Sequence, residues 1–155
     1  MYKIIECNCD LKQLNKFSQK FAQKAAVGDI IFLKGELGVG KTTFARFFIN
    51  ALFDNLSLQK PQSIKSPSFP IMINYSLLKY EIFHYDLFRL KSINEISEID
   101  IFENLHGNII IVEWPELIMN HLSVKDFYLI ELELIDLSKR HLKMFHSKKK
   151  RFNEF

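Results

Sequence analysis

The sequence predicts an α/β fold in which helices pack on a largely parallel central sheet, and three observations support this prediction. Short apolar runs rich in β-branched residues alternate with segments whose apolar residues recur at helical spacing. A glycine-rich stretch, residues 35–40, separates one apolar run from the helix-like segment after it. The 155 residues, 48% hydrophobic and 25% charged, are typical of one globular domain with its own core.

The N-terminal part is predicted to alternate between strands and helices. Residues 2–8 alternate loosely between apolar and polar and predict a short strand, after which Asp10 is a suitable N-cap. Residues 11–26 place Leu, Phe and Ala at helical spacing and predict an amphipathic helix. Residues 30–34 are typical of a buried strand, and residues 41–53 are predicted to form a helix.

The rest of the chain is predicted to contain strands with short helices between them. Residues 54–68 are polar, contain two prolines and are expected to form a loop. The predicted elements after it are a hairpin with strands at 71–77 and 80–86, one or two short helices within 92–105, a central strand at 109–112, a short helix at 115–122, and two closing strands at 127–135 and 140–145. Residues 1–147 are therefore predicted to be one domain, and residues 148–155 a basic, frayed tail.

Charge, hydropathy and cysteine content exclude several classes of protein. The net charge is +3, and the basic excess lies in residues 136–155, so the nearly neutral remainder does not indicate nucleic-acid binding. No segment approaches 18 uninterrupted apolar residues, and the first ten residues lack the apolar region of a signal peptide, which predicts a cytoplasmic location without a membrane partner. Cys7 and Cys9, the only cysteines, are expected to be free thiols.

The segment from Gly35 to Thr42 fits the P-loop pattern G-x-x-x-x-G-K-[ST] with the sequence GELGVGKT. Its glycines allow backbone N–H groups to converge on phosphate oxygens, and the helix N-terminus after it favours an anion. Lys41 is expected to reach the phosphates from a solvent-facing position, while the Thr42 hydroxyl is a suitable ligand for Mg²⁺. The motif predicts a P-loop NTPase fold in which the loop, with Gly35, Gly38, Val39 and Gly40, binds a nucleotide.

Two acidic residues follow apolar strands and are candidates for the metal side of this site. Glu113 follows the strand at 109–112, and Asp86 closes the strand at 80–86. The carboxyl ends of parallel strands line the crevice at which phosphates bind, so both acids are predicted to lie near the metal. The predicted catalytic residues are Lys41, Asp86 and Glu113, and the predicted metal ligands are Thr42, Glu113 and Asp86.

The absence of two sets of motifs argues against two classes of P-loop protein, and three residues near the candidate acids have more than one possible role. The absence of N-K-x-D and D-x-x-G argues against a guanine-specific GTPase, and the absence of L-S-G-G-Q excludes an ABC ATPase subunit. His84 is expected to be a packed, hydrogen-bonded histidine. Arg89 could stabilise phosphate charge or form an ion pair, and Trp114 could pack in the core or lie near the nucleotide.

Four motifs in order resemble a known family. They are GELGVGKTT at 35–43, SPSF at 66–69, HYDLFRL at 84–90 and VEWPE at 112–116. Their order and spacing are similar to those of the bacterial TsaE (YjeE) family of ATPases for tRNA threonylcarbamoyladenosine biosynthesis. Ser68 and Phe88 depart from the Thr and Tyr that are usual in that family, and after about Glu116 only Arg140 resembles a family position.

The resemblance implies an activity, partners and residue roles. It implies a small Mg²⁺-dependent ATPase that acts with TsaB and TsaD to place a threonylcarbamoyl group on the adenosine beside the anticodon, with tRNA contacted through the complex. The roles it implies are ATP and Mg²⁺ binding for Lys41, Thr42 and Thr43, a magnesium ligand for Glu113, a position near the nucleotide and metal for Asp86, a switch loop for 66–69, and nucleotide binding for Arg140.

Two alternative functions share the P-loop. A small-molecule kinase should carry an arginine-rich lid and an acceptor pocket, whereas this chain has four arginines in total. A nucleotide-gated adaptor would bind ATP and recruit partners with little turnover. The sequence leaves both alternatives open beside the ATPase.

Overall fold

The computed structural model describes residues 1–119 and 126–148, and the strands in them form one seven-stranded sheet. The strands are β1 (Tyr2–Cys9), β2 (Ile30–Lys34), β3 (Met72–Ser76), β4 (Glu81–Asp86), β5 (Ile109–Glu113), β6 (Tyr128–Leu134) and β7 (Arg140–His146). The helices are α1 (Leu11–Lys24), α2 (Lys41–Asn55), α3 (Ile93–Ser97) and α4 (Glu116–Met119).

The strand order is β1-β7-β6-β2-β5-β4-β3. The four inner strands β6, β2, β5 and β4 are parallel to one another, while β3 on one side and β7 and β1 on the other are antiparallel to their neighbours. This confirms the predicted α/β fold with a largely parallel centre. Because the inner strands run in the same direction, their carboxyl ends meet at one edge of the sheet, where the P-loop also begins.

Apolar side chains cover both faces of the sheet. Helices α1 and α2 lie on one face, where Phe21 contacts the rings of Phe44, Phe48 and Tyr128. Helices α3 and α4 contribute side chains to a second core on the other face. Burying an aromatic or aliphatic side chain of this size contributes about 1.5–3 kcal/mol, so both layers stabilise the sheet that carries the site. Asp10 forms the predicted cap, in a capping box at the start of α1.

Most predicted elements are confirmed, including the β3–β4 and β6–β7 hairpins. Within 92–105 only α3 forms as a helix, because residues 98–105 are in turns and Asp100 takes a positive φ of 52°. Residues 120–122 of the helix predicted at 115–122, and the tail beyond Lys148, lie outside the described residues. Both cysteines are free thiols, and none of the described helices is long and apolar enough to cross a membrane.

Candidate functional site

The P-loop joins β2 to α2, and its backbone conformation depends on glycine. At Gly35 φ is 143°, and a Cβ there would lie 2.3 Å from the carbonyl oxygen of Leu132 on β6. Gly40, with φ of 113°, is the N-cap of α2, and no side chain of the described residues caps this helix. The first N–H groups of α2 are therefore available to an anion, together with the positive end of the helix dipole.

Lys41 is buried, and the expectation that it faces solvent is wrong. Its side chain is only 4% exposed, because the P-loop wraps around the ammonium. Nζ donates to the carbonyl oxygens of Gly35 at 2.6 Å and Glu36 at 2.9 Å, and it lies 3.7 Å from the ring centre of Trp114. Burial lowers the pKa of this ammonium, an effect that nearby acids, first Glu113, partly oppose.

The two predicted acids lie side by side at the sheet edge. Asp86 and Glu113 are paired positions at the ends of β4 and β5, and both are almost fully buried. Oε2 of Glu113 accepts a hydrogen bond of 2.9 Å from the Thr42 hydroxyl, and its Oε1 lies 2.8 Å from Nε2 of His84. Oδ2 of Asp86 accepts a hydrogen bond of 2.9 Å from the Ser66 hydroxyl. The carboxylates are thus held beside the P-loop threonine.

A cleft of about 350 Å³ opens above these groups and contains most of the predicted site. The predicted residues that line it are Gly38, Gly40, Lys41, Thr42, Thr43, Asp86 and Glu113. Ser66 and Ser68 of the predicted switch loop line it as well, so this loop also belongs to the site. Gly35 and Val39 instead line a second cavity of about 530 Å³ on the other side of the P-loop.

Arg140 contacts the P-loop backbone and is not among the residues that line the cleft. Its Nε donates to the carbonyl oxygen of Val39 at 3.0 Å, and its Nη1 donates to that of Ser138 at 3.2 Å. The β6–β7 hairpin brings this nearly buried side chain against the loop. In this arrangement the Arg140 side chain links the β6–β7 hairpin to the backbone of the P-loop and stabilises the loop.

The aromatic and basic residues near the motifs have distinct surroundings. Trp114, half-buried with a positive φ of 58°, lies over Lys41 and has its ring centre 4.8 Å from that of Phe88, so it belongs to the site. Arg89 is exposed, and its guanidinium carbon lies 5.5 Å from the ring centre of Phe69. Among the described residues Arg89 forms no ion pair, and it is not one of the residues that line the cleft.

The donor set of the cleft fits a magnesium nucleotide. Thr42 supplies a hydroxyl and Glu113 and Asp86 supply carboxylates, which are the hard oxygen ligands that Mg²⁺ prefers, and Mg²⁺ normally retains several waters besides one or two carboxylates. The P-loop amides and Lys41 beside them suit phosphate oxygens. These residues could hold both groups at once.

Two contacts in the site were not predicted from the sequence. They are the His84–Glu113 and Ser66–Asp86 hydrogen bonds. For His84 a signal was available, because it precedes Asp86 by two residues on a strand and therefore shares its face. No comparable signal indicates that Ser66, in a loop, reaches Asp86.

A P-loop between a buried strand and a helix, with acids at the ends of the adjacent strands β4 and β5, defines a P-loop NTPase fold. The family model described as "Threonylcarbamoyl adenosine biosynthesis protein TsaE" matches residues 9–142. The chain therefore belongs to the TsaE family, whose members are named for the biosynthesis of threonylcarbamoyladenosine in tRNA.

Individual relatives agree with this assignment. The chain is 38% identical over 129 residues to the tRNA threonylcarbamoyladenosine biosynthesis protein TsaE of Rickettsia prowazekii. That alignment covers 83% of this chain and 85% of the relative. It is 29% identical over 130 residues to the protein of that name from Aquifex aeolicus, with 84% and 86% covered. The crystal structure of Bacillus subtilis YdiB superposes with a TM-score of 0.69 at 22% identity, over 93% of this chain and 86% of that one, and so has the same fold.

Proposed function

We propose that this chain is a Mg²⁺-dependent ATPase that supports threonylcarbamoylation of the anticodon-adjacent adenosine of tRNA. The observation that carries the proposal is the convergence of Lys41, Thr42, Asp86 and Glu113, from three separate stretches of chain, on one cleft. Membership in the TsaE family supports the role in tRNA modification. ATP is preferred over GTP in this proposal because the guanine-recognition motif is absent from the sequence.

The residues of the cleft would divide the chemistry between them. Lys41 and the N–H groups at the start of α2 would hold the phosphates, since a phosphate oxygen is a stronger acceptor for an ammonium than a neutral carbonyl. Thr42 and Glu113 would hold Mg²⁺, which supplies charge neutralisation when bound, and Asp86 would support the metal or orient a water. The barrier would be lowered by positioning and electrostatics, without a covalent intermediate on the protein.

The proposal includes slow hydrolysis by the isolated chain and a need for partners. Among the cleft-lining residues that the structure describes there is no arginine, and the described arginines contact other groups: Arg46 the Ile64 carbonyl, Arg89 the Phe69 ring and Arg140 the P-loop. An arginine that stabilises the transition-state charge accelerates related reactions by roughly 10³–10⁵. TsaB and TsaD are the proposed partners, with tRNA contacted through their cytoplasmic complex.

Phosphate release separates the proposed function from its alternatives. The assay uses the purified chain with ATP and Mg²⁺, alone and with TsaB and TsaD, and a magnesium-free sample as the control. Release that requires Mg²⁺, needs no acceptor and rises with the partners supports the ATPase. ADP formation that requires a small-molecule acceptor, with the phosphoryl group recovered on that acceptor and no free phosphate released, would identify a kinase. ATP binding with no significant release under any condition would identify an adaptor.

A further inference from the structure

His84 lies beneath the two carboxylates of the site. It is on β4, two residues before Asp86, and its side chain is fully buried. Its position in the sheet pairs with Ile111 on β5, two residues before Glu113, so the imidazole faces the same side as both acids. The 2.8 Å contact between Nε2 and Oε1 of Glu113 is therefore a contact across neighbouring strands.

The direction of this hydrogen bond follows from the other partners of the two groups. A carboxylate has no proton to donate, and Oε2 of Glu113 already accepts from the Thr42 hydroxyl. Nε2 of His84 must therefore carry the ring proton and donate it to Oε1. Nδ1 is buried and has no partner among the described residues, so a proton on Nδ1 would be a buried donor without an acceptor.

We propose that His84 is a positioning residue that fixes the Glu113 carboxylate for Mg²⁺, an inference that rests on the proposed function. By holding Oε1, His84 restricts rotation of the carboxylate and leaves Oε2 directed at Thr42, the other predicted metal ligand. Groups that hold a metal ligand in place typically change metal affinity by 10–100-fold when they are removed. His84 contacts neither nucleotide nor metal in this role.

Nitrogen NMR of the histidine rings in the nucleotide-free, unmodified chain tests the contact directly. We expect the His84 ring to carry its proton on Nε2 and none on Nδ1, with the signal identified by its loss in the His84→Gln variant. A ring proton on Nδ1 with Nε2 unprotonated would overturn the proposal, because Nε2 could then donate nothing to Glu113. This measurement requires no metal and no activity.

Magnesium titrations of two variants test the consequence. His84→Phe fills the space without a donor, whereas the amide of His84→Gln can still donate to Glu113. Calorimetry of Mg²⁺ binding to the complex with a non-hydrolysable ATP analogue should show an affinity at least about 10-fold weaker for His84→Phe, and His84→Gln should recover to within about 3-fold of the unmodified chain. In the absence of Mg²⁺, both variants should bind the analogue with an affinity within about 2-fold of that of the unmodified chain.

The matched control is Tyr85→Phe, which alters the next residue of β4. Tyr85 belongs to the opposite face of the sheet, and its hydroxyl accepts a hydrogen bond from Asn104 there. Loss of the Tyr85 hydroxyl should leave the affinity for Mg²⁺ unchanged. If His84→Phe does not fold, His84→Leu is a second variant without a donor, and the ring NMR still tests the contact in the unmodified chain.

The outcomes separate this inference from the proposed function. If the unmodified chain with the analogue binds no Mg²⁺, the proposed function fails. If it binds Mg²⁺ and the Phe and Gln variants bind with equal affinity, the positioning role of His84 is overturned while the proposed function stands.

Discussion

Two polar side chains of the cleft, those of Lys41 and Thr42, are hydrogen-bonded to other groups of the protein. The Lys41 ammonium is bound to two carbonyl oxygens of the P-loop, and the Thr42 hydroxyl donates to Glu113. The proposed ligand would offer each of these groups another partner, a phosphate for Lys41 and a metal for Thr42. Binding of that ligand would therefore exchange contacts within the protein for contacts with the ligand.

Replacing Lys41 by alanine should abolish ATP turnover. The loss of a charge-assisted contact with phosphate should weaken ATP binding by about 2–3 kcal/mol. The fold should persist, because Arg140 and β6 also hold the loop. Calorimetry and phosphate release measure both effects, with Lys34→Ala, an exposed lysine near Glu131, as the control that should bind ATP normally. A well-folded Lys41→Ala protein with normal hydrolysis would contradict the site assignment.

Replacing Glu113 by glutamine should retain ATP binding and abolish the Mg²⁺-dependent turnover of ATP. Glutamine keeps the shape of the side chain but loses the charge that a hard divalent cation prefers. Turnover measured against magnesium concentration tests this, with Asp86→Asn measured in parallel. If the asparagine variant loses Mg²⁺-dependent turnover and the glutamine variant keeps it, the roles of the two acids are exchanged.

The P-loop packs against the sheet at one end, so its glycines differ in the space that is available for a side chain. Gly35 lies against the backbone of β6, whereas a Cβ on Gly38 would meet nothing within 4 Å. Both residues have a positive φ, 143° at Gly35 and 78° at Gly38, so an alanine strains the backbone at both positions, and only Gly35 also lacks space for a Cβ.

Gly35→Ala should destabilise the protein more than Gly38→Ala does. A left-handed backbone costs an alanine about 1 kcal/mol or somewhat more at either position. At Gly35 the Cβ would also approach the Leu132 carbonyl oxygen to 2.3 Å, so the strand or the loop must move. Urea unfolding of the two variants measures the difference in the free energy of unfolding. Equal destabilisation would show that the loop relaxes away from β6 freely.

A hydrogen bond connects the predicted switch loop, residues 66–69, to the site. Ser66 donates to Asp86, whereas Phe69, three residues later, is 82% exposed. The loop therefore touches the acid edge of the cleft at one end and presents an aromatic ring to solvent at the other. This arrangement suits a segment whose conformation responds both to the site and to a partner.

For the assembly as a whole, we expect nucleotide and partner binding to be coupled. If TsaB–TsaD binds the ATP form of the chain more tightly than the empty form, then by linkage ATP must bind the assembly more tightly by the same factor. Calorimetric titration of TsaB–TsaD with the chain, with and without a non-hydrolysable ATP analogue, should give a higher affinity when the analogue is present. Equal affinities in the two titrations would rule out nucleotide-gated assembly.

Several elements could be predicted from the sequence because their signals are local. The P-loop with β2 and α2, the β-branched strand β5 and the two hairpins are each recognisable within a few consecutive residues. Local signals were weaker within 92–105, where helical spacing predicted up to two helices. There the packing of Ile96 and Ile101 into the core and the positive φ of Asp100 favour turns after α3.

The amino-acid sequence by itself determined the class of fold, the position of the P-loop motif between β2 and α2, and the two acids that follow β-strand residues at 86 and 113. Only the tertiary structure decided the partners of these residues: the burial of Lys41, the bracing of the loop by Arg140, and the hydrogen bonds of His84 with Glu113 and of Ser66 with Asp86. The physical reason is distance along the chain. The bonded residues are 101, 29 and 20 positions apart, and only the folded arrangement of the strands and of the loops between them brings these residues within hydrogen-bonding distance.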